Sequence, residues 1–268
     1  MTGVLAGLED AHGVSFATCD HFVGTSAGAI VATKLATGRA LRRPSEPVSP
    51  AADGELGAPS WAVNSAMAVA APLASIGLRL ATRPAELTRV AALRVAVRED
   101  RERLNFRDAF PSRRTKFDGR LRVVAVDRQS GKRVVFGAPG APYASVAQAL
   151  TASCALPLVF APAYIGGREY VDGAIWSPTN ADVAPLGRDA RVLILAPMAS
   201  PHGPWNTPVR ALSRATMLVE ASALKARGAS VRIITPDRNS SVSIGSDLMS
   251  DERLEATHAA GYAQGLSV

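Results

Sequence analysis

Phe22-Val23-Gly24-Thr25-Ser26-Ala27-Gly28-Ala29-Ile30 is the stretch of sequence that decides the fold. A short apolar run enters it, and an Ala-rich pattern with helical spacing leaves it and ends near Thr37. Gly24, Ser26 and Gly28 form a G-x-S-x-G motif, which between a strand and a helix exposes one serine hydroxyl at a sharp turn. The helix dipole at that point favours negative charge. Ser26 is therefore the candidate nucleophile, and a helix-capping serine in a tight turn is the alternative.

Length and charge bound the class of protein. A chain of 268 residues with 47% apolar residues fits one large globular domain or two small ones. The net charge of +7 comes almost entirely from arginine. Arginines are densest between Arg79 and Arg122, where acidic residues lie among them, so a solvated helical face is expected and affinity for an anionic lipid surface is the alternative. Few aromatic residues accompany them, and we expect no nucleic-acid partner.

Cysteine usage and the first residues give further limits. Cys19 and Cys154 form no disulfide framework and no metal-ligand pattern, so both are expected to be small core thiols. No acidic cluster has the spacing of a calcium loop, and we expect neither a metal nor a cofactor. The segment from Met1 to Asp10 lacks a basic start and carries acidic residues, which is unlike a secretory signal. A cytoplasmic protein, with peripheral membrane contact as an option, is expected.

The pattern of elements predicts an α/β fold. A helix should end at Gly13 and a strand from Cys19 to Val23 should lead into the motif. Residues 40–60 are polar and rich in proline, which predicts a flexible loop. The apolar segment 61–81 is too interrupted to span a bilayer, so it is expected to be a core helix or one covering a pocket. Further helices are predicted at 84–104, 146–154 and 208–227, and a last helix is predicted to begin at Asp251 with Ser250 as its cap. Strands are predicted at 121–126, 133–136, 164–165, 169–171, 192–196 and 231–235.

Alternating helices and strands of this kind favour a three-layer α/β/α sandwich with a mostly parallel central sheet. We expect residues 1–268 to form a single domain.

A serine nucleophile needs a base, and the sequence leaves two kinds open. Four histidines are present: His12, His21, His202 and His258. A Ser26–Asp–His258 order would match α/β-hydrolases, although only 25 residues precede this serine and a packed histidine is the plainer interpretation of His258. The other candidate is Asp172, which ends a predicted strand and is followed by a glycine. A carboxylate with a raised pKa in a partly dry site can act as the base directly.

Taken together, Gly24–Ala29 and Tyr170–Ala174 resemble the paired signatures of the patatin-like phospholipase family. The resemblance extends to Ala152–Pro162 and to the Val4–Leu8 segment of the first helix. It implies a patatin-like fold and the hydrolysis of lipid acyl esters through an acyl-serine intermediate.

The same resemblance assigns roles to residues. Ser26 would be the nucleophile and Asp172 its general base, with no histidine required. Gly24, Ala27 and Gly28 would form the elbow and the oxyanion site, and Gly173 and Ala174 would support the Asp-Gly motif. A lipid or other acyl ester is then the expected partner, met at a membrane surface.

One departure from the family pattern lies at the start. The family carries a first strand and a Gly-rich loop whose N–H groups make the oxyanion hole, whereas this sequence begins at Met1-Thr2-Gly3. The first expectation is that the protein begins upstream of Met1. The alternatives are a catalytically impaired protein that binds a lipid surface or a partner, and a Ser-His-Asp esterase. Loss of one oxyanion donor typically costs about 100- to 1000-fold in rate.

Overall fold

The computed structural model describes residues 1–44, 90–94, 96, 100–110, 115–202, 208–245 and 251–268. Most of the predicted 40–60 loop, the whole apolar segment 61–81 and the predicted cap Ser250 lie outside these residues. Among the helices described, none combines the length and the apolar character needed to cross a bilayer.

Five of the described strands form one mixed sheet in the order β1-β2-β5-β4, and β3 also pairs with β2. β1 runs parallel to β2, and the other pairs in this sheet are antiparallel. Two later strands, β6 and β7, form a separate parallel pair. The strands are β1 (Phe22–Thr25), β2 (Leu121–Asp127), β3 (Arg133–Phe136), β4 (Ala163–Ile165), β5 (Arg168–Asp172), β6 (Arg191–Leu195) and β7 (Ser230–Ile234).

The α-helices described in full are α1 (Thr2–His12), α2 (Ala27–Ala36), α3 (Val146–Cys154), α4 (Pro208–Ala226), α5 (Arg238–Ile244) and α6 (Leu254–Ser267). α1 ends as predicted at Gly13, whose φ of 62° is the left-handed conformation that glycine adopts without steric cost. α3 begins with a capping box, in which the side chains of Ser145 and Gln148 each accept a hydrogen bond from the other residue's backbone N–H.

The side chains of β2 alternate between two apolar cores. Val123 and Ala125 pack into a cluster shared with α1, α2 and α3. Val126 faces a second cluster on the other side, built with Val171 of β5 and Leu156. Because both faces of this central strand are covered, its sequence from Val123 to Val126 is continuously apolar rather than alternating. The α/β class expected from the sequence is confirmed by this arrangement.

Some predicted boundaries differ from the structure. The strand before the motif was expected at Cys19–Val23, but residues 16–18 form a short 3-10 turn and the strand begins at Phe22. The predicted 84–104 helix is wrong at its end, because residues 101–106 are not helical. There the Glu102 carbonyl accepts a hydrogen bond from Ala161 N, so this segment pairs with a neighbouring loop. α5 was not predicted.

Candidate active site

Ser26 occupies a strained turn between β1 and α2. Its φ of 54° and ψ of −129° lie outside the regions that non-glycine residues favour, which costs on the order of 1–3 kcal/mol. β1 ends at Thr25 and α2 begins at Ala27, so the chain reverses direction at this one residue. A Cβ on Gly24 would lie 2.3 Å from the Ala29 Cα, so only glycine lets the helix cross this close to the strand. These features are those of a nucleophile elbow.

β2 brings the second candidate residue to the same place. Thr25 of β1 pairs with Val124, and Asp172 at the end of β5 pairs with Ala125. Ser26 and Asp172 therefore flank the middle of β2 from its two sides. The turn after Asp172 also passes close to this strand, since a Cβ on Gly173 would lie 2.5 Å from the Val124 carbonyl oxygen.

The Asp172 carboxylate is buried beside the Ser26 hydroxyl. Its exposed fraction is 1%, and its Oδ1 accepts a hydrogen bond of 2.8 Å from Ala174 N. Burial raises the pKa of Asp172 to about 7, while hydrogen bonds from Ala174 N and from the Ser26 hydroxyl oppose that rise. A pKa near neutrality lets this carboxylate both take and return a proton at physiological pH.

Two residues at the end of α3 complete the surroundings of Ser26. The Ser153 hydroxyl accepts a hydrogen bond of 2.9 Å from Ser26 N and donates one of 2.7 Å to the Val124 carbonyl. Ser153 thus ties the strained turn to β2. The next side chain, Cys154, is buried beside both candidate residues. Burial, and then the Asp172 charge, raise the pKa of this thiol, and a hydrogen bond with the Ser26 side chain lowers it. Cys154 is a core thiol, as predicted, but it also contacts the site.

The histidines lie elsewhere. His12, His21 and His202 are exposed, and the His12 Nε2 atom lies 2.8 Å from the carbonyl oxygen of Val268. His258 is buried where α6 packs against α1, and its carbonyl oxygen lies 2.3 Å from the position that a Cβ on Gly3 would take. The side chain that the structure brings to Ser26 is Asp172, which favours the carboxylate over a histidine as the candidate base.

The two glycines of the motif differ in their surroundings. A Cβ on Gly24 would collide with the start of α2, whereas a Cβ on Gly28 would meet none of the described residues within 4 Å. Among the described residues, none therefore requires a glycine at position 28 on steric grounds. The adjacent Ala27 is exposed, and as the first residue of α2 its N–H has no acceptor within the helix.

Sequence reasoning missed three residues around the site: Ser153, Asn180 and Glu220. Ser153 lies inside the segment that resembles the family, but nothing in the sequence indicated that its hydroxyl reaches Ser26. Asn180 and Glu220 are buried polar residues, at 0% and 1% exposed. A glutamate within an otherwise amphipathic helix such as α4 gives no signal of burial. Its role depends on which loop packs over it.

Comparison with known proteins identifies the family of the chain. The sequence pattern of the patatin-like phospholipase family matches residues 1–185. No curated protein matches the chain. The chain belongs to the patatin-like phospholipase family, and this membership implies a hydrolase that acts on lipid acyl esters. The matched range includes Ser26, Asp172 and Asn180.

Proposed function

We propose that this protein is a serine carboxylic-ester hydrolase that cleaves lipid acyl esters with Ser26 as nucleophile and Asp172 as general base. The observation that carries the proposal is the placement of Ser26, held in a strained elbow, beside a carboxylate that is 1% exposed and whose pKa burial raises to about 7. A serine hydroxyl becomes an effective nucleophile when an adjacent base can accept its proton.

The reaction proceeds in two half-reactions. The Ser26 Oγ attacks the acyl carbonyl carbon and its proton passes to Asp172, which gives a tetrahedral oxyanion. Collapse of this intermediate breaks the ester C–O bond, and the departing alcohol takes the proton from Asp172. Water then attacks the acyl-Ser26 ester and gives its proton to Asp172, and the carboxylic acid leaves as Ser26 regains a proton.

Electrostatics at the start of α2 support this sequence of steps. The oxyanion forms beside the N-terminus of α2, where the helix dipole favours negative charge. The Ala27 N–H, which follows the nucleophile and has no intrahelical acceptor, is the donor we assign to the oxyanion. None of the described residues outside the first turn of α2 lies within 4 Å of a Cβ built on Gly28, so these residues leave room for the acyl group close to Ser26.

A set of three variants tests the proposal with a short-chain nitrophenyl ester and with phospholipid vesicles. Ser26→Ala and Asp172→Asn should each abolish hydrolysis, whereas Ser222→Ala, which removes an exposed serine hydroxyl of α4, should keep the parent rate. Equal rates for the parent and Ser26→Ala would refute the proposal. Vesicle binding without any Ser26-dependent hydrolysis would instead indicate a lipid-binding protein that has no turnover.

A fourth variant separates the two candidate bases. His258→Ala should retain hydrolysis at a rate close to that of the parent, after correction for any fraction that fails to fold. Loss of hydrolysis in folded His258→Ala, together with activity in Asp172→Asn, would favour a Ser-His-Asp esterase.

A further inference from the structure

Asn180 is a buried polar residue in contact with the segments that carry both candidate catalytic residues. Its side-chain amide nitrogen lies 3.0 Å from Thr25 Oγ1, 3.2 Å from the Gly173 carbonyl oxygen and 2.5 Å from the Ser177 carbonyl oxygen. Thr25 directly precedes Ser26, and Gly173 directly follows Asp172. One amide group therefore joins the elbow to the turn that presents the carboxylate.

The orientation of this amide is fixed from its other side. The Asn180 Oδ1 accepts a hydrogen bond of 3.2 Å from Arg133 Nη1, so the amide nitrogen must face Thr25 and Gly173. Arg133 is held in turn by two hydrogen bonds of 2.7 Å to the Asp182 carboxylate, and its guanidinium lies 5.3 Å from the centroid of the Trp176 ring. The backbone at Asn180 has a φ of 49°, a left-handed conformation that asparagine tolerates better than most residues.

A second buried side chain holds the loop that carries Asn180. The Oε2 atom of Glu220, on α4, accepts hydrogen bonds of 2.5 Å from Thr179 Oγ1 and 2.9 Å from Ala181 N. These are the residues on either side of Asn180. Burial raises the pKa of Glu220, and hydrogen bonds from the loop, the first of them from the Ser177 hydroxyl, oppose this rise. The position of Asn180 is therefore anchored to α4, which packs against β7 of the second sheet.

We propose that Asn180 is a positioning residue of the active site, which sets the separation of the Ser26 hydroxyl and the Asp172 carboxylate by binding Thr25 and the Gly173 carbonyl together. This inference rests on the proposed function. Asn180 acts through the two segments and does not take part in the chemistry itself. Displacement of reacting groups by about 1 Å can cost about 100-fold in rate. The hydrogen bonds by which Asn180 joins the two segments should therefore have a large effect on turnover.

Thr25→Val is the most direct variant, because it removes the hydroxyl that Asn180 binds and keeps a β-branched side chain of the same shape in β1. It should lower kcat about tenfold or more for a soluble ester, with KM within about twofold, because alignment and not binding is lost. Thr25→Ser keeps the hydroxyl and should restore most of the rate. The matched control is Thr33→Val, since Thr33 is also a buried threonine and, among the described residues, its hydroxyl donates to the Ala29 carbonyl of its own helix, α2. It should keep the parent kcat.

Asn180→Ala should show a loss of kcat at least as large. If the two residues act through one contact, the double variant with Thr25→Val should be no slower than Asn180→Ala alone. A double variant whose fold-loss of kcat equals the product of the two separate losses would overturn the inference. A parent-like kcat in folded Thr25→Val would also overturn it.

A readout that does not depend on turnover separates this inference from the proposed function. The carboxyl carbon of Asp172 can be titrated by NMR, with Asp172→Asn used to assign its signal. Loss of the Asn180 hydrogen bonds should admit water at the turn that follows Asp172. The pKa of Asp172 should therefore be lower in Asn180→Ala than in the parent. A parent without Ser26-dependent hydrolysis would refute the proposed function alone. An unchanged Asp172 titration in Asn180→Ala would overturn the positioning role, whatever the activity of the parent.

Discussion

Replacement of Asp172 by asparagine should stabilise the protein, and the size of the effect should depend on pH. The carboxylate is 1% exposed and its pKa rises from 3.8 to about 7 on folding. Asparagine keeps the oxygen that accepts the Ala174 N–H and removes the charge. The folded variant therefore avoids the free-energy cost of burying a carboxylate at any pH where Asp172 would be ionised.

The magnitude follows from proton linkage. Below pH 3.8 the carboxyl group is protonated in both the folded and the unfolded chain, and the variant and the parent should differ little. Between pH 3.8 and about 7 only the unfolded chain has released the proton, so the parent loses about 1.4 kcal/mol of stability for each pH unit. The difference should therefore grow to about 4 kcal/mol in favour of Asp172→Asn and stay constant above pH 7.

Urea unfolding of the two proteins at each pH from 4 to 8 measures this difference directly. Asp237→Asn is the control for the replacement of an aspartate by an asparagine, because Asp237 is only half-buried. Its side chain caps α5 by accepting a hydrogen bond from Ser240 N, a role that asparagine also fills. A difference between Asp172→Asn and the parent that does not change with pH would refute the reasoning. So would a variant that is less stable than the parent at pH 8.

Other predictions follow from the same geometry. The kcat/KM for a neutral ester should rise with pH and level off above about pH 7, because only ionised Asp172 can accept the Ser26 proton; a flat profile from pH 5 to 8 would contradict this. Gly24→Ala should cost about 3 kcal/mol or more in thermal or urea unfolding, whereas Gly28→Ala should leave stability unchanged or raise it by up to about 1 kcal/mol. Ser153→Ala should lower kcat and cost about 1–3 kcal/mol, because Ser26 N loses its acceptor; a parent-like kcat would show that the elbow holds without it.

The elements with strong local signals were predictable from the sequence. β3 was predicted at its observed bounds, Arg133–Phe136, and α3 also matches its predicted range. Both depend on patterns within a few residues, since β3 follows a Ser-Gly-Lys turn and α3 ends shortly before Pro157. The short α5 was not predicted, since its seven residues are mostly polar and its beginning depends on the cap from Asp237.

The candidate site was predictable only as two separate motifs. Ser26 and Asp172 are far apart in sequence, and their contact depends on the register that β2 imposes on β1 and β5. Residues such as Asn180 and Glu220 gave no signal, because an isolated asparagine after Ser-Pro-Thr is typical of any turn. Their burial results from packing between segments that are distant in the chain, and periodicity within one segment does not report it.

Trapping of the acyl-enzyme tests the central claim most directly. The protein would be mixed with a nitrophenyl ester, quenched in acid within the first turnover and digested for peptide mass spectrometry. The acyl group should be found on Ser26 in the parent and be absent from Ser26→Ala and Asp172→Asn. Acylation of another residue, or ester hydrolysis with no acyl group on Ser26, would contradict the account.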